Sequence, residues 1–401
     1  MVREGDELCI TVPSLFRCPI SLDVMRSPVS LCTGVTYERS SIQYWLESGH
    51  DTCPATMQIL STKEFIPNLT LHRLISTWSR PLTVSEREVR VLIEKVGCES
   101  ESKTSVVDCL VKIAEFVSSR EENRKFLARY GGFVDTIVGI LRRNCAEIVV
   151  LESVVRVLDL VLTENGVKEK LNSLIMKSNN NYLFSILKVI HKGSLDSKIR
   201  SIKILDSISV DNESKRQLSE TENLLSVLFD NLKTAEDENL DDSVLTILIT
   251  LSAIRPVKTQ LVNLGLVQVL SNTLWNPKSA NPNVGKVIKL LSLMVTCSEG
   301  RCAVSEEPRC AAGIVEMIMK VKKTAREDGM VVLWSMCCLY NDGRVKEAVV
   351  TSNGVTKMLL VMQSENEGIV RRMCGDLIKV LGKNNSGLGV YNSKTTHIMP
   401  Y

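Results

Sequence analysis

At 401 residues the chain has room for two or three domains. Its 49 Lys+Arg against 46 Asp+Glu leave a net charge of +3, too balanced for an electrostatic nucleic-acid binder, so no nucleic-acid partner is expected. An apolar fraction of 44% with only 4% aromatics favours stacked helices built on Leu, Val and Ile over a sandwich or barrel.

Residues 1–12 read as a short lead. Met1-Val2-Arg3-Glu4-Gly5-Asp6-Glu7 is acidic and has no apolar stretch behind a basic start, so a secretory signal is not expected. No segment approaches the roughly 18 consecutive apolar residues of a membrane span. The 13 cysteines lack paired spacing, which suits a reducing compartment, cytosolic or nuclear.

Residues 13–79 form the first predicted domain, and five of the chain's 11 prolines fall in it. Leu15-Phe16-Arg17-Cys18-Pro19-Ile20-Ser21-Leu22-Asp23-Val24-Met25 opens it, and Thr36-Tyr37-Glu38-Arg39 follows. A helical period over residues 39–47 places Ile42, Trp45 and Leu46 on one face. Cys53-Pro54-Ala55-Thr56 and Ile66-Pro67-Asn68, with Leu71, Leu74 and Ile75, close the domain. Its cysteines are Cys18, Cys32 and Cys53, its histidines His50 and His72, and it has no Cys-x-x-Cys. Paired tetrahedral zinc sites need eight ligands in close pairs, so no metal is expected. The three cysteines read as small buried hydrophobes. Cys53 has a candidate base nearby in His50, but Pro54 after it reads as loop rigidity.

Residues 80–86 read as a linker and residues 87–382 as a helical repeat array. A basic residue just after a loop recurs at Arg124, Lys168, Lys215, Lys258, Arg301 and Lys346, a period of about 43–47 residues. Amphipathic runs precede these positions at 106–117, 148–162, 199–208, 244–251, 287–295 and 331–339. Second apolar helices are predicted after them at 133–141, 182–190, 224–232, 266–274, 314–321 and 355–362. Four of these are expected to open on a tight bend at Gly132, Gly265, Gly313 or Gly354. Residues 367–381 would close the array, and 383–401 read as a polar, disordered tail.

The order and spacing of the N-terminal motifs resemble the U-box, the zinc-free relative of the RING domain found in E3 ubiquitin ligases. Asn123-Arg124-Lys125-Phe126-Leu127 followed by Gly131-Gly132-Phe133-Val134 is similar to the armadillo consensus. Together the two halves resemble the plant U-box family with armadillo repeats. The expected fold is mainly α, a small α+β U-box followed by an armadillo/HEAT-type α-solenoid.

The resemblance implies an E3 ubiquitin transferase without a nucleophile or cofactor of its own, with an E2 enzyme, ubiquitin and a substrate protein as partners. It assigns E2 contact to Ile20, Leu22, Trp45, Pro54 and Thr56. It assigns a hydrogen-bonding network in place of zinc to Ser21, Asp23, Thr36, Tyr37, Glu38, Arg39 and Asn68, with His50 and Asp51 as further candidates. Where the family usually has Asp, Glu38 keeps the charge and with it an expected ion pair. Where many relatives place a basic residue bridging E2 and ubiquitin, this chain has Met57 followed by Gln58. That departure leaves a second reading open, a non-catalytic armadillo adaptor.

The solenoid is expected to hold the substrate on a concave face, with the repeat-signature cations mostly solvated. Neither Trp275 nor Trp334 has Asn four places on, which disfavours nuclear-signal recognition. The resemblance also implies a role in plant stress or immune signalling.

Overall fold

The computed structural model describes residues 12–78, 84–98, 102–142, 147–177, 181–234, 237–275, 282–364 and 368–384. The predicted lead up to residue 11, most of the linker and the tail from 385 lie outside the described residues. The chain divides into two compact units between Thr83 and Val84.

The first unit holds a three-stranded antiparallel sheet in the order β2-β1-β3: β1 (Pro28–Ser30), β2 (Thr36–Glu38) and β3 (Ile66–Pro67). Helix α1 spans Arg39–Glu47, as the apolar period predicted, and α2 spans Leu69–Trp78. A small core closes around Met25, Val29, Tyr37, Ile42, Cys18 and Cys53. Burying about ten such side chains is marginal for independent stability, so the polar ties between its loops carry structural weight.

The second unit opens with α3 (Glu86–Gly97), started by a capping box: Ser85 accepts the Glu88 amide, and Glu88 accepts the Ser85 amide at 2.6 Å. Then come sets of three helices. The first is α4 (Lys103–Ser119), α5 (Glu121–Arg129) and α6 (Phe133–Leu141). The pattern repeats as α7 (Ile148–Val161), α8 (Val167–Lys177) and α9 (Asn181–Lys192), then α10 (Leu195–Ile208), α11 (Asn212–Glu220) and α12 (Leu224–Thr234). It continues as α13 (Glu238–Leu251), α14 (Arg255–Asn263) and α15 (Leu266–Trp275), then α16 (Val284–Met294), α17 (Ser298–Glu306) and α18 (Arg309–Met317). Finally α19 (Lys323–Trp334), α20 (Gly343–Thr351) and α21 (Gly354–Ser364) precede the closing α22 (Ile369–Asn384).

Like helices stack on like, so α4, α7, α10, α13, α16, α19 and α22 form one ladder. One continuous Leu/Val/Ile core runs the length of the array, as expected of units that bury their apolar faces only against neighbours. Polar rungs cross this ladder one repeat apart: Arg200 to Asp159 at 3.1 Å, Lys286 to Thr246 at 2.6 Å and Lys289 to Asp328 at 2.9 Å.

Two sequence expectations need correction. Gly132 and Gly265 do bend the chain in the left-handed region, at φ 85° and 88°, but Asn353, at φ 59°, takes that role before Gly354. Gly313 lies inside α18, because Pro308 opens that helix earlier. A Cβ on Gly313 would stand 3.0 Å from both Leu274 Cβ and Trp275 Nε1, so this glycine serves close helix packing. The signature cations are not uniformly solvated either. Lys346 is buried with its Nζ on Asn341 Oδ1, and Arg301 donates to the Val295 carbonyl at 2.9 Å. They act as ties between helix ends.

Candidate functional site

Two loops of the first unit repeat one turn. In Cys18-Pro19-Ile20-Ser21-Leu22-Asp23 the Leu22 amide donates to the Cys18 carbonyl at 2.8 Å, and the Cys18 amide donates to the Asp23 carbonyl at 2.8 Å. In Cys53-Pro54-Ala55-Thr56-Met57-Gln58 the same bonds run from Met57 to Cys53 at 2.8 Å and from Cys53 to Gln58 at 2.9 Å. Each turn closes with a bridge between flanking residues, Arg17 with Val24 and Thr52 with Ile59. The fifth residue of each adopts left-handed backbone, φ 62° at Leu22 and 57° at Met57. A non-glycine residue there is strained, and both side chains project into solvent, 66% and 71% exposed.

Both cysteine sulfurs are buried and accept hydrogen bonds. The Glu38 amide donates to Cys18 Sγ at 3.2 Å, and the Ser21 hydroxyl also reaches that thiol. Thr33 Oγ1 donates to Cys53 Sγ at 3.3 Å, and the Tyr37 phenol lies 3.0 Å from the same sulfur. Because the Ala55 amide donates to the Tyr37 oxygen at 3.1 Å, the phenol proton is free to point at Cys53. Burial pushes the Cys53 thiol up, but bonds from Thr33, Thr56 and Tyr37 outweigh it and bring it down to about 6. Burial, with Cys53 beside it, pushes Tyr37 upward.

Among the predicted contact residues, Leu22 and Thr56 are exposed, and Ile20, Pro54 and Trp45 are half-buried. Trp45 stacks on His50 with ring centroids 3.9 Å apart, and its Nε1 donates to the Thr52 carbonyl at 2.9 Å. The helix is thus tied directly to the start of the second loop.

Of the residues assigned to the network, Thr36 and Asn68 meet at one hydrogen-bonded centre and Glu38 forms another. Asn68 Nδ2 donates to Ser30 Oγ at 3.3 Å and Thr36 Oγ1 at 3.2 Å, while its oxygen accepts the Leu71 amide at 2.9 Å. Glu38 accepts the backbone amides of Arg26 at 2.6 Å and Ser27 at 3.0 Å. That replaces the expected ion pair: the Arg39 guanidinium lies over the Phe65 ring, 5.4 Å from its centroid. Asp23 joins through its backbone, its exposed carboxylate having no partner among the described residues. Asp51 pairs with Lys63 at 3.1 Å in an exposed ion pair of little energetic weight. Cys32 is exposed, not a buried hydrophobe.

Sequence reading missed Met57 as the counterpart of Leu22, and the 82% exposed Ile59 beside it. The signal was the repeated Cys-Pro-x-Ser/Thr. Among the described residues no three His, Cys, Asp or Glu side chains gather as metal ligands, and no helix is long and apolar enough to cross a membrane.

Comparison with known proteins follows this division of the chain. A U-box domain family model matches residues 12–81, and a plant U-box protein ARM repeat region model matches residues 88–398. The chain is 39% identical to U-box domain-containing protein 29 and 38% identical to U-box domain-containing protein 28, both of Arabidopsis thaliana, over the whole of each chain. It is 24% identical to the Arabidopsis thaliana E3 ubiquitin-protein ligase PUB23, covering 92% of this chain and 93% of the relative. In fold it is similar to a chain from a structure concerned with the interaction between cadherin and beta-catenin. That match has a TM-score of 0.61 at 15% identity and covers 78% of this chain and 59% of the other. With both halves accounted for in order, the chain belongs to the plant U-box protein family with ARM repeats.

Proposed function

We propose that the protein is an E3 ubiquitin-protein ligase that acts by positioning. Residues 13–79 receive the E2~ubiquitin thioester, the E2 cysteine gives up ubiquitin, and a lysine of a protein held by the 87–382 array attacks. The observation that carries this reading is the matched pair of turns, each presenting an exposed apolar side chain from strained backbone. Strain of about 1 kcal/mol or more at each turn is retained where the surroundings hold it and the displayed side chain has a use. Leu22, Ile20, Pro54 and Thr56, with Trp45 behind them, make a small apolar surface suited to weak, exchangeable docking. Exchange is required, because a discharged E2 must leave before the next arrives. The contribution to rate is orientation of the thioester and exclusion of unproductive geometries.

The proposal includes a cytosolic or nuclear location and a part in plant stress or immune signalling, as the family resemblance implies. Incubation of the full chain with E1, a panel of E2s and ubiquitin tests it. Chains on the protein itself, or faster discharge of E2~ubiquitin onto free lysine, are the expected result. No discharge with any E2 would favour the adaptor reading, which rests on Met57 standing where a bridging cation would be expected.

A further inference from the structure

A second surface lies at the start of the helical array, on α3 and α5. The Arg90 guanidinium stands 5.3 Å from the centroid of Phe126 and 5.6 Å from that of Tyr130. The two rings are themselves stacked at 6.1 Å, and Phe116 meets Phe126 edge-on at 6.3 Å from beneath. An exposed guanidinium thus rests over two rings, and its N–H groups have no partner among the described residues. A cleft of about 680 Å³ opens beside it, with Arg129, Lys125, Glu122 and Gly131 along its wall. Arg129 is exposed and unpaired among the described residues, and the amide of Gly131, in the turn after α5, likewise has no acceptor.

The charge balance selects the ligand. Lys125 is already taken by Glu121 at 2.6 Å, and Glu122 lines the cleft. With Arg124 acting on Glu121 and Glu164 acting on Lys125, four cations stand against three carboxylates and leave one positive charge. A single carboxylate matches that surplus, whereas a dianionic phosphate would bring uncompensated charge beside Glu122. The aromatic floor offers apolar area next to the guanidinium edge.

We propose that this face binds an acidic segment of a protein partner, with one carboxylate seated between Arg90 and Arg129 and a neighbouring apolar side chain on Phe126 and Tyr130. A planar guanidinium resting over two rings suits bidentate carboxylate recognition, with less ordering cost than a free side chain. The inference goes beyond the ligase reading and does not depend on it, since binding here needs neither E2 nor ubiquitin.

The test uses the full chain and three fluorescein-labelled synthetic peptides, identical except for one place before a Leu-Phe pair: Asp, Asn or phosphoserine. Fluorescence polarisation is followed to about 1 mM protein or to the solubility limit, the range of weak complexes. The Asp peptide is expected to bind at least fivefold tighter than the other two. Arg90→Gln and Arg129→Gln should each weaken it about tenfold, as loss of a charge-assisted bond does. Arg90→Lys should weaken it too, since an ammonium keeps the charge without the planar fork. Circular dichroism and thermal unfolding establish that each variant is folded. Absence of binding, equal binding of the Asn peptide, preference for phosphoserine, or wild-type affinity in folded Arg90→Gln and Arg129→Gln overturns the proposal.

Discussion

Leu22 and Met57 hold the same place in two copies of one turn, each with left-handed backbone and a largely solvent-exposed side chain. Neither residue is favoured there by its own conformational preference. The equivalence allows docking to be separated from folding.

Leu22→Gly and Met57→Gly should each leave the first unit folded, or stabilise it by up to about 1 kcal/mol, because glycine takes left-handed backbone without strain. Leu22→Gly should weaken E2 docking about tenfold, since burying a leucine side chain contributes roughly 1.5–3 kcal/mol. Thermal unfolding and E2 titration read the two effects independently. If folded Leu22→Gly keeps full affinity for a cognate E2, the first loop is not the docking surface.

Met57→Arg tests the departure at that position. A guanidinium in a turn already aimed outward should raise the rate of lysine discharge from E2~ubiquitin at saturating ligase, with little change in E2 affinity. Unchanged discharge with E2 binding intact would show that another residue, Gln58 being nearest, already holds ubiquitin.

The segments around Cys53 and Asp241 should respond to pH in opposite directions. Cys53 titrates at about 6 in the fold against 9.0 ordinarily, burial raising it and the bonds from Thr33, Thr56 and Tyr37 prevailing. Its contribution is therefore full above pH 9 and lost as pH falls through about 6. Asp241 is raised from 3.8 to about 6 by burial, with Asp237 and Glu238 adding to it, and one of its carboxylate oxygens is buried without a partner. Its contribution is full below 3.8 and lost as pH rises through about 6. Between pH 7 and pH 5, amide protection corrected for intrinsic exchange should fall over residues 52–60 and rise over residues 238–245. A parallel change in both segments would contradict these assignments.

Two glycines should behave oppositely in the helical array. Gly139 sits in the interior of α6 with open space where a Cβ would go, so Gly139→Ala should stabilise by about 0.5–1 kcal/mol. Gly300 is buried in α17, where a Cβ would overlap the Met294 carbonyl, so Gly300→Ala should cost about 1–3 kcal/mol. Denaturant unfolding of the full chain measures both, and a stable Gly300→Ala protein would mean that the α16–α17 corner yields easily.

Local pattern was enough to place α1, the period of the array and most of its helices, because helix formation depends on side chains three and four places apart. The family resemblance, carried by the motifs, pointed to the two loops and to Asn68. What the amino-acid order left undecided were partners chosen across distance. Glu38 turned from an ion pair to the amides of Arg26 and Ser27, Gly313 moved from a bend into a helix against Leu274, and Lys346 withdrew from solvent. Met57 became the mirror of Leu22 only once both turns had closed on their own cysteines. Each of these depends on which donors and surfaces packing brings within about 3–4 Å, a selection made by the whole fold and not by neighbours in the chain.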